Sequence, residues 1–160
     1  MLSSQRNRIS AREHRVPKVP EQSLPPMEKR DFETLADFRY QIRKFLRFSE
    51  QVTRKAGITP LQYLMLLNIK GYPGREWATI GEIAERLQAQ HHGVVALVSR
   101  CEKMGFVERR RSTDDRRRIE VRLLAKGEEY VERLANAHRV QLITLDGRFA
   151  VPTAKSFARD

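Results

Sequence analysis

The chain has 160 residues, 40% of them hydrophobic and 32% charged, with a formal net charge of +11 at pH 7. This length supports one core, or one core shared with a partner subunit. No apolar run approaches the ~20 residues of a membrane helix, and a lone cysteine, Cys101, excludes an internal disulfide and fits a reducing cytosol.

The positive charge favours a polyanionic partner without separating DNA, RNA and anionic lipid. Its distribution is more informative. Residues 1–30 carry seven Lys/Arg against three acids, and residues 100–125 carry nine against five. Residues 31–99 and 126–160 are close to balanced. The excess is local, as a binding surface requires.

Residues 1–30 hold four prolines (Pro17, Pro20, Pro25, Pro26), scattered arginines and no apolar period, which predicts a disordered basic arm. Glu13, Glu21 and the prolines argue against a transit peptide, and there is no apolar stretch suited to a signal peptide. From Asp31 to about Lys55, Leu35, Phe38, Ile42, Phe45 and Val52 recur at helical spacing, with Leu46 and Phe48 widening the apolar face. A face that broad points to two neighbours, the chain's own core and a second subunit. Gly57 ends this helix, so 31–57 is read as an N-terminal dimerisation helix.

Residues 58–125 form the next unit. Thr59-Pro60-Leu61-Gln62 is a capping box with proline at the first helical position, and Leu61, Leu64, Met65 and Leu67 follow as its expected apolar side. Gly71 stops it, and Tyr72-Pro73-Gly74 is a turn. A second capping box, Thr79-Ile80-Gly81-Glu82, opens a short helix with Ile80, Ile83, Ala84 and Leu87 on one face. After Gln88-Ala89-Gln90, the residues Val94, Leu97, Val98 and Cys101 repeat the helical pattern up to Gly105. Two short amphipathic helices joined this closely are the sequence form of a helix-turn-helix. The period then falls to two. Val107 to Arg110 reads as a strand, Ser112-Thr113-Asp114-Asp115 as a turn, and Ile119, Val121 and Leu123 as the inward side of a return strand. A hairpin in this place is a wing. Residues 126–160 supply a last helix from Gly127 to about Leu145, with Tyr130, Leu134, Ala137 and Gln141 along one side, and then a tail without clear period. The expected fold class is mainly α with a small β-hairpin wing, a winged helix-turn-helix flanked by terminal dimerisation helices.

The second helix of a helix-turn-helix enters the major groove. With Val94, Leu97, Val98 and Cys101 facing the core, Gln90, His91, His92, Val95, Ala96, Ser99, Arg100 and Lys103 are left for DNA. Gln90 suits adenine, Val95 or Ala96 a thymine methyl, and Ser99 and Arg100 phosphate. The alternative is an ordinary solvated helix face. On the wing, Arg109, Arg110 and Arg111 precede the turn and Arg116, Arg117 and Arg118 follow it, a composition fit for a narrow minor groove. Asp114 and Asp115 are expected to accept guanidinium hydrogen bonds and hold those side chains extended. The alternative is a solvated charged loop.

No catalytic constellation is visible. Gly71, Gly74 and Gly81 lack phosphate-loop spacing, and there is no Gly-x-Ser-x-Gly nucleophile turn. His91 and His92 are adjacent on a helix and point about 100° apart, which is poor metal geometry. Cys101 falls on an apolar face, where an inert thiol is expected. No enzyme activity, cofactor or metal is predicted.

The order of these features resembles the MarR family of bacterial transcriptional regulators. The matching residues run Ile58 to Tyr63, Thr79 to Ala84, Val98 to Arg109, Asp114-Asp115-Arg116-Arg117 and Leu123-Leu124-Ala125-Lys126-Gly127, within coverage of about residues 31–145. The resemblance implies an obligate homodimer built from the terminal helices on a pseudo-palindromic operator. The apolar excess of the 31–55 helix itself puts Phe32, Leu35, Phe38 and Ile42 in the expected contact, with Tyr130 and Leu134 of the 127–145 helix packing alongside. The resemblance also implies a crevice for a small aromatic or anionic effector, a recognition helix carrying His91, His92, Val95, Ser99 and Arg100, and a wing tip of Asp115, Arg116 and Arg117. Double-stranded DNA is the implied partner, in the cytoplasm at the bacterial nucleoid. Two departures stand out. The usual second C-terminal helix is poorly represented after Gly147, which throws more of the interface onto residues 31–55. His91-His92-Gly93 replaces the small hydroxyl residues common at the recognition-helix start. The redox-sensing members carry a cysteine near the N-terminal helix, and this chain has none there. The expected function is sequence-specific transcriptional regulation, by repression. The competing readings are a nucleoid-associated architectural protein with little sequence preference and a lipid- or RNA-surface binder.

Overall fold

Local capping chemistry sets where the helices begin. The computed structural model describes residues 25–145 and 151–157. Most of the expected basic arm (1–24) and part of the tail (146–150 and 158–160) lie outside the described residues. Buried Asp31 accepts the Glu28 backbone N–H at 2.8 Å, so helix α1 (Lys29–Lys55) starts slightly ahead of the expected Asp31. Gly57, at φ +78°, takes the left-handed position that closes it. Both predicted capping boxes are present. Thr59 and Gln62 exchange hydrogen bonds at the start of α2 (Pro60–Lys70), and Thr79 and Glu82 do so at the start of α3 (Ile80–Leu87). Gln88, in a left-handed conformation, ends α3 and turns the chain into α4 (His91–Lys103).

A strand of two residues, β1 (Trp77–Ala78), lies between α2 and α3. With β2 (Val107–Arg111) and β3 (Ile119–Leu123) it forms an antiparallel sheet in the order β1-β3-β2, Trp77 opposite Arg122 and Val107 opposite Leu123. The hairpin matches expectation. β1 is an addition, because two residues are too few to show a period. Helix α5 (Ala125–Thr144) follows, and a single 3-10 turn (Ala154–Phe157) lies in the tail. The architecture is a winged helix-turn-helix, mainly α, flanked by α1 and α5. Among the described residues no helix is long and apolar enough to cross a membrane.

The core draws on α2, α3, α4, the sheet and α5. On α4 the buried residues are the expected Val94, Leu97, Val98 and Cys101. Helix α2 departs from expectation. Leu61 and Leu64 are exposed, while Tyr63, Met65, Leu66 and Ile69 are buried. α2 touches α1, α3, α5 and the sheet, and a helix apolar on most sides has no single stripe to read. On α5 the buried line is Val131, Leu134 and His138 rather than Tyr130, Leu134, Ala137 and Gln141. On β3 only Val121 of the expected inward set is fully buried; Ile119, at the wing end of the strand, is exposed. Glu120, expected to face solvent, is buried under arginines. Lys70 ties the end of α2 to Glu76 at 3.0 Å and to Glu128 of α5 at 2.7 Å.

The junction between α4, β2 and α5 is unusually close. Phe106 O accepts the Leu124 N–H at 2.9 Å, and Lys126 Nζ donates to Met104 O, at the end of α4, at 2.9 Å. Gly127 lies directly over the same Phe106 carbonyl; a Cβ there would sit 2.1 Å from the oxygen. That explains why glycine follows Lys126. Gly127→Ala forces α5 off the end of α4, and we expect it to cost roughly 1–3 kcal/mol or more. Urea denaturation compared with the wild type checks this, and an unchanged midpoint would contradict the packing described.

Candidate nucleic-acid interface

Side chains that α4 does not bury form one continuous surface. Gln90, at the N-cap, and His91, His92, Val95, Ala96, Arg100 and Lys103 are all exposed. Ser99 differs. Its hydroxyl donates to Val95 O at 3.0 Å and accepts from Arg109 Nη2 at 2.9 Å. Arg109 reaches back from β2 and braces the helix, donating also to Val95 O at 3.1 Å and to Glu102 Oε2 at 2.6 Å, while its backbone N–H donates to Glu102 Oε1 at 3.0 Å. Arg109 is thus a brace for α4 rather than one of the wing cations that composition suggests. An ion pair between elements leaves no periodic trace in the sequence.

The wing turn divides its arginines into two sets. Arg118 folds back: its backbone bonds Ser112 and Asp115, its Nη2 donates to Ser112 Oγ at 2.7 Å, and Glu120 lies at 3.5 Å. Arg110 pairs with Glu108 at 2.6 Å and stays exposed. Arg111, Arg116 and Arg117 are exposed and have no side-chain hydrogen bond or ion pair among the described residues. Asp115 does not hold a guanidinium as expected. Its carboxylate accepts the Arg117 backbone N–H at 2.9 Å and so fixes the turn instead. Asp114 lies 3.8 Å from Arg118.

Two carboxylates anchor the arginines behind this surface. For Glu82, burial acts to raise the pKa, yet the Thr79 backbone N–H, the Arg75 guanidinium and the Thr79 and Tyr72 hydroxyls together hold it below the usual carboxylate range. For Glu120 burial again opposes ionisation and is outweighed, here by Arg122, Ser112 and Arg118. Cys101 is fully buried on α4, and burial pushes its thiol up against the smaller opposing effects of Gln62 and Arg100. It is shielded from reagents in solution. His91 and His92 are exposed, and among the described residues no group of three His, Cys, Asp or Glu side chains is placed to hold a metal ion.

A separate cavity of about 400 Å³ opens between α1, α2 and α5, lined by Phe45, Ser49, Tyr63, Leu64, His138 and Arg139 among others. His138 is buried there. Its Nδ1 lies 2.7 Å from Leu134 O and its Nε2 2.9 Å from Ser49 Oγ. Since a carbonyl only accepts, Nδ1 carries a proton. The ring stacks on Tyr63 at 4.7 Å and meets Phe45 and Phe48 edge-on. The cavity has an aromatic wall, a cation, Arg139, and a carboxylate, Glu50. Of the residues expected at a subunit contact, Phe32 and Leu35 are exposed, Phe38 and Ile42 half-buried, Tyr130 half-buried against Phe106, and Leu134 buried in the chain's own core.

A family model described as MarR family matches residues 56–118, from the end of α1 through the wing turn. A protein of Thauera aromatica, named as a putative transcriptional regulatory protein for the hcr operon, is 29% identical over 122 residues, covering 67% of this chain and 72% of its own. The HTH-type transcriptional repressor MdtR of Bacillus subtilis is 31% identical over 74 residues, 46% of each chain. Among solved structures, a MarR family protein from Bacillus stearothermophilus superposes with a TM-score of 0.65 at 24% identity, covering 78% of this chain and 86% of that one.

Proposed function

We propose that this chain is a winged helix-turn-helix regulator of the MarR type, as the family match over residues 56–118 supports, and that it is a sequence-specific DNA-binding regulator of transcription, acting by repression. The observation that carries the reading is the pairing of two surfaces. One is the uncovered polar face of α4 from Gln90 to Lys103; the other is the wing tip, where the Arg116 and Arg117 side chains have no partner among the described residues. A helix face of mixed donors and acceptors reads base edges in the major groove. Unpaired arginines at a narrow tip suit the neighbouring minor groove. Ser99 and Arg109 hold the reading helix and are not counted among its contacts.

A single copy presents one recognition helix, and an operator read twice requires two, about one DNA turn apart. Helix α1 leaves Phe32 57% and Leu46 52% exposed, and the last turns of α5 leave Val140, Leu142 and Ile143 uncovered. We assign this apolar surface to a second copy of the chain. The cavity beside it supports an effector that is small and aromatic, with an anionic group directed to Arg139.

Selection of bound duplexes from a random pool tests the reading as a whole: a palindromic motif is expected, and the absence of any motif would favour an architectural protein with little sequence preference. On the selected duplex at fixed salt, Arg116→Ala and Arg117→Ala should each weaken binding by roughly 1–3 kcal/mol; wild-type affinity in both removes the wing from the mechanism. Assembly is checked by light scattering. Changing Leu35 and Phe38 together to Glu places charge in the contact and should yield a monomer that no longer binds, whereas a monomeric wild type defeats the dimer. For the effector, aromatic carboxylates should raise the melting temperature and release the duplex, and Arg139→Ala should blunt both effects. A series without any shift leaves the cavity without that role.

A further inference from the structure

Arginines and aromatic rings alternate along the outer side of the wing root in a single column. The Arg86 guanidinium lies 4.6 Å from the centre of the Tyr72 ring, and the Arg75 guanidinium lies 4.2 Å from that same ring and 3.7 Å from Trp77. Arg118 lies 4.7 Å from Trp77, with Arg122 at 6.0 Å. Each end is tied to a different part of the DNA-binding unit. Arg75 is bound to Glu82, the carboxylate that caps α3, and donates through Nε to Trp77 O at 3.2 Å. Arg86 reaches Asn68 of α2 at 3.4 Å. Arg118, at the far end, is stitched into the wing turn through Ser112 and Asp115.

β1 contributes only Trp77 and Ala78 to the sheet, too short a ladder to fix the wing against α3 by backbone bonds alone. Arg118 Nε, moreover, is buried with no hydrogen-bond partner among the described residues. Leaving that donor unmatched is unfavourable, and the stacking of the guanidinium on the indole offsets it. We propose that Trp77, with Arg75, is a positioning residue for DNA binding: the column sets the angle of the wing to the helix-turn-helix and thereby aims Arg116 and Arg117. Neither Trp77 nor Arg75 is required to touch DNA. The inference rests on the DNA-binding reading above and adds the residues that orient the wing.

The test uses the full-length chain on its selected duplex, with two footprints read in parallel. Hydroxyl radical reports minor-groove protection by the wing, and dimethyl sulphate reports major-groove protection by α4. Trp77→Leu should lose about tenfold in affinity and lose hydroxyl-radical protection at the wing positions, while dimethyl sulphate protection persists at saturating protein. Trp77→Phe keeps an aromatic face and should restore most of both. In the Arg116→Ala, Arg117→Ala background, Trp77→Leu should add no more than about twofold, because the groups it aims are already gone. Equal loss of both protections, or a full penalty in that background, would show a role in folding alone and overturn the proposal. If Trp77→Leu does not fold, Arg118→Met removes the cation from the indole and is read the same way; a folded Arg118→Met with undiminished wing protection overturns it. A wild-type chain that protects neither groove of any duplex fails the DNA-binding reading itself, and the inference falls with it.

Discussion

The Phe106 carbonyl has α5 pressed against it through Gly127, which has no side chain to hold the two apart. That contact fixes three things together. It backs the end of α4, which Gly105 closes locally and where Phe106 N–H donates to Cys101 O and Lys126 donates to Met104 O. It sets the first residue of the wing, Val107, which is fully buried. It directs α5 back across α2, where Val131, Leu134 and His138 enter the core. The start of α5 is therefore docked against the residues that follow α4.

Arginine count overstates how much positive charge the wing can offer to a polyanion. Arg109 is used to brace α4, Arg118 and Arg122 lie over buried Glu120, and Arg75 serves the α3 cap. What remains at the tip is a small set on a turn that Asp115 shapes through the backbone of Arg117. Engaged cations of this kind contribute geometry, and free ones contribute attraction. The division leaves the wing with a few free cations on a defined turn rather than a diffuse basic patch.

Features that depend on neighbours in sequence are legible in the amino-acid order alone. Both capping boxes, the Gly57 and Gly105 helix ends and the four buried residues of α4 follow from local hydrogen bonding and from a helix with one wet side. The same logic locates most of the α4 surface and the wing tip. It fails where burial comes from several directions. α2 is covered on most sides, so Leu61 and Leu64 read as core while Tyr63 and Ile69 carry it. It fails also where a charge meets a partner that apolar periodicity does not record: Arg109 with Ser99, Trp77 between Arg75 and Arg118, and Glu120 beneath Arg118 and Arg122, its near neighbours in sequence. Period-two alternation assigns Glu120 to water because it records which way a side chain points, not what lies over it.

The sheet order leaves β2 as an outer strand, and an outer strand offers unpaired backbone groups to any other extended segment. Three consecutive arginines, Arg109 to Arg111, occupy it. A bare edge of this kind can pair with the same edge of another molecule. Like charge on both edges opposes that pairing. The exposed Arg110 and Arg111 side chains thus guard the free edge of the wing against edge-to-edge pairing.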